Sequence, residues 1–360
     1  MNFIKSLDQD LLKKLGLVVG VIIGAFVVLM IFMIIKGNRL NYSQIEARMI
    51  SAAKEYYQYN SDKLPKVDNN TITISTDKLV EEKYMKSLDK LVKNKKDVCS
   101  GQVSVTKNDD NYLYSATLSC GENYSTKKLK DVIVKEAVTS GNGIYQVGES
   151  YIFKGDNVNN YVKFAGKVWR IIRINPDGSI RMIDTTKRDQ VLWDDRYNSE
   201  KEYNVGINNY SVSRIKDTIN TIYNEFSSSD KSYMLKQNLC VGKRSEEETN
   251  NDGSIECSSV IENQNVGLIQ VNEFALASLS DKCNNPTSPE CSNYNYLSVM
   301  DSMWTLNASN ENSYKVFKIS GNAFTTNAIN TSQPKIVIHI NPQVNYISGN
   351  GSEEKPYTFK

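Results

Sequence analysis

The segment NYVKFAGKVWRIIRINPDGSIRMIDT, residues 160–185, decides the fold of the larger part of this 360-residue chain. Its apolar runs predict three strands, Tyr161–Phe164, Lys167–Ile174 and Ser179–Ile183. The last two strands flank Asn-Pro-Asp-Gly, which places proline and glycine where a tight turn requires them. The middle strand is apolar on both faces and carries one arginine on each, Arg170 on one and Arg173 on the other. We therefore expect it at the centre of a sheet.

The residues that follow predict further helices and strands. SVSRIKDTINTIYNEF, residues 211–226, has apolar side chains at helical spacing after two capping serines, and VGLIQVNEFALAS indicates a strand followed by a helix. A strand is expected near Trp304, and another in PKIVIHIN. In that last strand His339 lies on the face opposite the three isoleucines. A lone histidine on a strand is more often structural than catalytic.

The order of these elements resembles a domain of unknown function from Firmicutes surface proteins. That domain is related in fold to C-type-lectin-like and formylglycine-generating-enzyme-like domains, and the resemblance implies such a domain over residues 151–360. Family members commonly carry arginine in the segments matching WTLN and QPKIVI, where this chain has Asn307 and Gln333. A site lined by those arginines would be altered here. No copper-binding cysteine pair can be assigned in this sequence, so we do not expect this chain to have the activity of the formylglycine-generating enzyme.

The stretch LGLVVGVIIGAFVVLMIFMIIKG, residues 15–37, contains no charge before Lys36 and is long enough for a helix of roughly 30 Å. It predicts a transmembrane anchor at residues 15–36 preceded by a cytoplasmic segment, residues 1–14. A cleaved secretory signal would have a shorter apolar core and a small-residue cleavage site. The glycines at positions 16, 20 and 24 are spaced as G-x-x-x-G, which would allow close helix packing. Lysines and arginines flank both ends and do not settle the orientation.

The cysteines place the rest of the chain in an oxidising compartment. All six follow the apolar stretch, and an even set of this kind suggests disulfides. In CSGQVSVTKNDDNYLYSATLSC, two alternating strands flank a turn, and opposing Lys107 to Tyr112 also opposes Cys99 to Cys120. The other expected pairs are sequence neighbours, Cys240 with Cys257 and Cys283 with Cys291. A zinc site is a poor alternative because the chain has no C-x-x-C and one histidine. We expect a single-pass cell-membrane protein with a cytoplasmic N-terminus and an extracellular bulk.

Residues 37–137 have a second resemblance. YSQIEARMISAAKEYYQYN predicts an amphipathic helix directly after the anchor, ended before Pro65, and LVEEKYMKSL and the cysteine-bounded hairpin follow. This order resembles type IV pilin and pseudopilin-like proteins of Gram-positive bacteria. The family's processing signal has glutamate at the fifth position after a glycine, but Gly16 is followed by five residues without glutamate. Glycines in residues 138–150 mark a linker. The expected fold class is α+β: one transmembrane helix, a pilin-like helix and hairpin domain, and a lectin-like domain.

The inventory of reactive groups favours no enzyme. A net charge of +2 is too small to produce an electrostatic field that would attract nucleic acid. The sequence contains neither a G-x-S-x-G motif nor a phosphate-binding loop. Carboxylates for glycoside hydrolysis are available, but solvated loops explain them equally well; they are Asp194, Asp195, Glu246 to Glu248 and Glu273. WDDRYN and NNDGS could offer oxygens to calcium but lack EF-hand spacing. We therefore expect no catalytic residue, no metal and no cofactor.

Two functional classes remain. The first is a non-catalytic adhesion module whose ligand, a glycan, wall polymer or surface protein, contacts Trp193, Asp194 and Asp195. The second is a minor pseudopilin-like subunit of a pilus or secretion assembly, which packs against other pilin-like helices. Both readings take the lipid bilayer as a partner through residues 15–36.

Overall fold

The computed structural model describes residues 39–360, and its contacts separate into two compact units. The first unit contains residues up to 60, 74–103 and 116–125; the second contains 61–73, 104–115 and 126–360. The helices are α1 (Tyr42–Tyr59), α2 (Thr76–Glu81), α3 (Leu88–Leu91), α4 (Leu129–Val134), α5 (Arg214–Asn224), α6 (Ser228–Ser232) and α7 (Val271–Leu276).

The strands before residue 200 are β1 (Thr71–Ser75), β2 (Ser100–Asn108), β3 (Asn111–Ser119), β4 (Gly143–Val147), β5 (Ser150–Lys154), β6 (Tyr161–Phe164), β7 (Lys167–Ile174), β8 (Ile180–Asp184), β9 (Val191–Leu192) and β10 (Tyr197–Asn198). Those that follow are β11 (Tyr203–Asn204), β12 (Met234–Leu235), β13 (Gln237–Cys240), β14 (Val260–Gln264), β15 (Met303–Ala308), β16 (Lys315–Ser320), β17 (Asn322–Asn327), β18 (Thr331–Ser332), β19 (Val337–Ile340), β20 (Tyr346–Ser348) and β21 (Thr358–Phe359).

The expected fold class and membrane localisation need correction. Across residues 39–360, every helix is too short or too polar to cross a membrane. The longest described helix, α1, has 18 residues, but only one face is apolar and the other carries charged side chains. The predicted anchor at 15–36 and the cytoplasmic segment 1–14 lie outside the described residues. What the structure describes is a mixed α/β chain made mostly of sheets, and the expected transmembrane helix is not among the described helices.

In the first unit, the predicted amphipathic helix is confirmed as α1. The side chain of Asn41 caps the start of α1 by accepting a hydrogen bond from the N–H of Gln44. The apolar face is fully buried and consists of Ile45, Met49, Ala52, Ala53, Tyr56 and Tyr57. Helices α2 and α3 follow, and the predicted Cys99–Cys120 disulfide is confirmed, as are the other two pairs.

The second unit is organised by the sheet that the segment 160–185 predicts. Strands β6 and β7 have the predicted bounds, and β8 is shifted by one residue. Within the described chain the sheet has seven strands in the order β12-β19-β8-β7-β5-β4, with β6 also paired to β7. The central position of β7 is therefore confirmed. Part of the expected linker, Gly143–Val147, forms the edge strand β4 of this sheet.

A bulge in β7 changes which residues share a face. Ile171 pairs with Met182, but Arg173 pairs with Arg181, so Ile172 is the extra residue. Arg170 pairs with Ile183, which is two residues from Arg181 and therefore on the same face. The sequence predicted Arg170 and Arg173 on opposite faces, and this is wrong because strict alternation stops at the bulge.

Candidate functional site

A row of polar side chains crosses three neighbouring strands of the seven-stranded sheet. Arg173 of β7 pairs with Arg181 of β8, and Arg181 pairs with His339 of β19. Residues directly opposite each other in antiparallel strands project from the same face, with their Cβ atoms about 5 Å apart. The bulge in β7 is what brings Arg173 into this row. The sheet therefore gathers two cations and an imidazole on one face.

Glu273 of α7 lies against this row. Its two carboxylate oxygens accept the Nε and Nη2 hydrogens of Arg181 at 2.6 and 2.9 Å. Arg173 Nη1 lies 3.5 Å from one of the same oxygens. Glu273 also accepts the N–H of Gln270 at 3.0 Å, which fixes the first turn of α7. One carboxylate is thus shared between two guanidinium groups.

The surroundings fix the protonation states of these groups. Burial acts to raise the pKa of Glu273, but the charges of Arg181 and Arg173 outweigh it and hold that pKa below its ordinary value. Burial, and then the same two arginines, hold the pKa of His339 well below its ordinary value. At neutral pH the deep part of the row therefore contains two positive charges, one negative charge and a neutral histidine.

The tautomer of His339 follows from its neighbour. Arg181 Nη1 lies 3.1 Å from His339 Nε2. Arginine can only donate, so Nε2 must accept and the ring proton is on Nδ1. His339 therefore offers one N–H donor.

A cavity of about 420 Å³ opens over this row, a volume in the range of small-ligand sites. Its base contains Arg173, Arg181 and His339, and its polar side walls contain Gln270 and Asn272. The apolar lining includes Ile152, Leu239, Leu276 and Leu306 together with the disulfide Cys240–Cys257.

The wall opposite the sheet is a loop held in place by a buried ion pair. Arg244 is 1% exposed and donates to Glu256, which is fully buried, at 2.6 Å. The second guanidinium nitrogen of Arg244 donates to the carbonyl oxygens of Glu248 and Asn250 and to Oδ1 of Asn251. The disulfide Cys240–Cys257 closes the same loop. This loop presents Asn251, Asp252 and Gly253 to the cavity.

Asn272 is a cavity-lining side chain whose hydrogen bonding is incomplete within residues 39–360. The residue is 2% exposed, and its Oδ1 is buried without any hydrogen-bond partner in residues 39–360. Buried polar atoms are normally paired, because an unpaired one costs about 1 to 3 kcal/mol. Asn272 lines the cavity, but this oxygen has almost no solvent-accessible surface, so a ligand can pair with it only when the side chain turns toward the cavity.

The residues that the sequence singled out for ligand binding lie elsewhere. Trp193 is fully buried, and its Nε1 donates to the carbonyl of Thr305 at 3.2 Å. Asp194 is also fully buried, and its carboxylate accepts from Arg196 and from the N–H of Ile207. Asp195 is exposed and pairs with Arg214. Two of the three side chains are thus inaccessible to a ligand in this structure.

The two positions expected to carry arginine in the lectin-like family are internal here. Asn307 is fully buried and accepts the N–H of Val271 at 2.7 Å, which positions the start of α7. Gln333 accepts the N–H of Arg188 at 3.1 Å. Neither lines the cavity above the arginine row.

The other candidate sites in the described part of the chain, for a metal ion or for a second ligand, have less favourable arrangements of side chains. The NNDGS loop uses its side-chain oxygens locally, since Asn250 accepts the N–H of Asp252 and Asp252 accepts the N–H of Ser254. No group of three or more histidine, cysteine or acidic side chains in residues 39–360 is arranged to hold a metal ion. A second cavity of about 540 Å³ contains Arg170 and Lys335, but two acidic side chains line it as well.

The sequence could have indicated part of this site. Arg173, Arg181 and His339 lie on strands that the pattern predicts, and Glu273 was named among available carboxylates. The sequence pattern did not single out Asn272 as a site residue, because an asparagine next to a glutamate is common at the start of a helix. Comparison with known proteins adds no constraint: no family model, no curated protein and no solved structure matches this chain.

Proposed function

We propose that this chain is a non-catalytic binding protein of an oxidising, extracellular compartment, and that it takes a glycan or wall-polymer fragment into the cavity above Arg173. The observation that carries this proposal is a cavity of about 420 Å³ whose lining combines the part-exposed guanidinium of Arg173 with the amides of Gln270 and Asn272 and with aliphatic side chains. Three disulfides are typical of chains that fold in an oxidising compartment. The mixed lining, with hydroxyl-binding amides beside aliphatic side chains, suits a saccharide.

Binding is favoured over hydrolysis by the state of the carboxylates. A glycosidase needs one carboxylic acid that is protonated near neutral pH and a second carboxylate at a set distance. Glu273 is buried and pairs with the cavity-lining Arg173 and Arg181, and these two arginines hold it ionised with a lowered pKa. The pKa of Asp252 at the rim is also lowered, because Ser254 donates to it. The described cavity therefore lacks a proton donor for a leaving group.

The proposal is tested by calorimetric titration of the full chain, disulfides intact, with defined wall-polymer and glycan fragments. Asn238→Trp places a large ring at an exposed strand position that lines the cavity. Asn204→Trp makes the same change at an exposed strand position outside it. We expect saturable binding by the wild type and by Asn204→Trp, and at least about tenfold weaker binding, roughly 1.4 kcal/mol, by Asn238→Trp. If no fragment binds, or Asn238→Trp binds as the wild type does, the proposal is overturned.

A further inference from the structure

We infer that the ligand of this cavity is an acidic saccharide, whose carboxylate binds Arg173 while a neighbouring hydroxyl or amide N–H of the sugar donates to Asn272. The inference rests on the proposed function and specifies the class of ligand. It follows from the net charge of the cavity lining and from its hydrogen-bond donors and acceptors that have no partner in the described residues.

The buried row carries a net positive charge. Arg173 and Arg181 share the single carboxylate of Glu273, and His339 adds no charge. One positive charge at the base of the cavity thus has no buried counter-ion. Two further carboxylates act here from positions exposed to solvent, where water screens them: Asp252 in the cavity lining and Asp177 near Arg173. Because a desolvated charge without a partner is costly, the base of the cavity favours an anion.

The N–H donors of Arg181 are all used within the protein. Arginine has five N–H donors. Those of Arg181 are directed to Glu273, Gln237, His339 and the carbonyl of Leu268.

Arg173 is in a different state. Its Nε donates to Asn175 at 2.7 Å, and Nη1 lies 3.5 Å from Glu273. Nη2 makes no hydrogen bond within residues 39–360, and the side chain remains 27% exposed at the cavity. A guanidinium edge of this kind matches the geometry of a carboxylate. Arg173 is therefore the group that holds the anion.

Asn272 and His339 favour an acidic sugar over a simple anion. Asn272 Oδ1 is an acceptor without a partner in residues 39–360, and an O–H or N–H of the ligand can pair with it once the side chain turns toward the cavity. His339 offers an N–H from Nδ1, which requires an acceptor. A sugar acid supplies all three partners, namely a carboxylate, a hydroxyl donor and a hydroxyl or ring-oxygen acceptor. A bare inorganic anion would leave Asn272 unpaired.

The test uses a matched pair of probes: tetragalacturonate and the neutral tetrasaccharide made by reducing its carboxylates to alcohols. A glycerol-phosphate oligomer provides the same charge as phosphodiester. The full chain, with its disulfides intact, is titrated by calorimetry as wild type, Arg173→Gln and Arg173→Lys. We expect the wild type to bind the acidic probe about 10- to 100-fold more tightly than its neutral twin. Arg173→Gln should reduce that ratio to about one, and Arg173→Lys should retain part of it.

The outcomes separate the two proposals. If the neutral probe binds as well as the acidic one and Arg173→Gln changes neither, the acidic class is wrong while saccharide binding stands. If the phosphodiester binds with dependence on Arg173 and the uronate does not, the carboxylate assignment is wrong. If none of the three probes binds and no wall fragment binds either, the proposed function itself is overturned. Circular dichroism of each variant confirms that the fold is intact.

Discussion

Asn272→Leu is expected to make the protein more stable and to abolish ligand binding. Leucine has nearly the shape of asparagine and removes an amide oxygen that is buried without a hydrogen-bond partner in residues 39–360. A buried unpaired polar atom costs about 1 to 3 kcal/mol, so its removal should raise the free energy of unfolding by about 1 to 2 kcal/mol. Stability that is sacrificed at one position for binding is typical of functional sites.

The assay is urea unfolding followed by tryptophan fluorescence. All three tryptophans, Trp169, Trp193 and Trp304, are fully buried in the second unit, so the signal reports that unit alone. A gain of 1 kcal/mol corresponds to roughly 2 to 4 °C in the melting temperature for a unit of this size. Binding of tetragalacturonate to the same variant is measured by calorimetry and should be lost.

Asn295→Leu is the matched control. Asn295 is 1% exposed, and its amide donates to the carbonyls of Phe274 and Cys291 while accepting the N–H of Leu297. The same substitution there leaves three buried backbone groups unpaired and should lower the free energy of unfolding by about 2 to 4 kcal/mol. If Asn272→Leu destabilises the protein as Asn295→Leu does, Asn272 has a structural role and the reasoning is refuted.

Three further predictions concern the row, the loop and the disulfide. His339 is the single histidine of the chain, and its pKa is lowered in the folded protein, so below about pH 6.5 the unfolded chain binds a proton that the folded chain does not. The free energy of unfolding should therefore fall by up to about 1.4 kcal/mol per pH unit on acidification, and His339→Gln should remove that slope in urea unfolding. Arg244→Met leaves the Glu256 carboxylate buried without a counter-charge and should cost about 3 to 5 kcal/mol in the same assay. Replacing Cys240 and Cys257 by alanine opens a loop of 17 residues, which should cost about 3 kcal/mol and abolish calorimetric binding.

Each of these has a control. The double variant Arg244→Met with Glu256→Leu should be less destabilised than Arg244→Met alone, because both charges are removed; an equal loss would mean that packing and not charge is responsible. Replacing Cys99 and Cys120 in the first unit should leave ligand binding unchanged. If the acid slope persists in His339→Gln, carboxylates and not the histidine are responsible for it.

The elements of the second unit could be predicted because their signals are local. Strand β7 was identified with its true bounds from a continuous apolar run, and the turn that follows it from proline and glycine; Gly178 indeed has a φ of 79°. The disulfides could be paired because their partners are near neighbours in sequence or are opposed across a hairpin.

The site could not be predicted because its contacts are long-range. Arg181 and Glu273 are 92 residues apart, and Arg181 and His339 are 158 apart. The bulge at Ile172 has no signature in the apolar pattern, yet it decides the face on which Arg173 lies. Trp193 misled the prediction because an aromatic beside two acids suggests an exposed binding residue, whereas packing around it buries the ring completely.

The most direct test of the account is the side-chain amide resonance of Asn272. The full chain is labelled with ¹⁵N-asparagine, the Asn272 signal is assigned by its disappearance in Asn272→Leu, and tetragalacturonate is added stepwise. We expect the Asn272 signal to shift and to saturate with the calorimetric affinity, while the signal of the Asn295 amide, which has its hydrogen-bond partners, stays in place. An Asn272 signal that is unchanged at saturating ligand would contradict it.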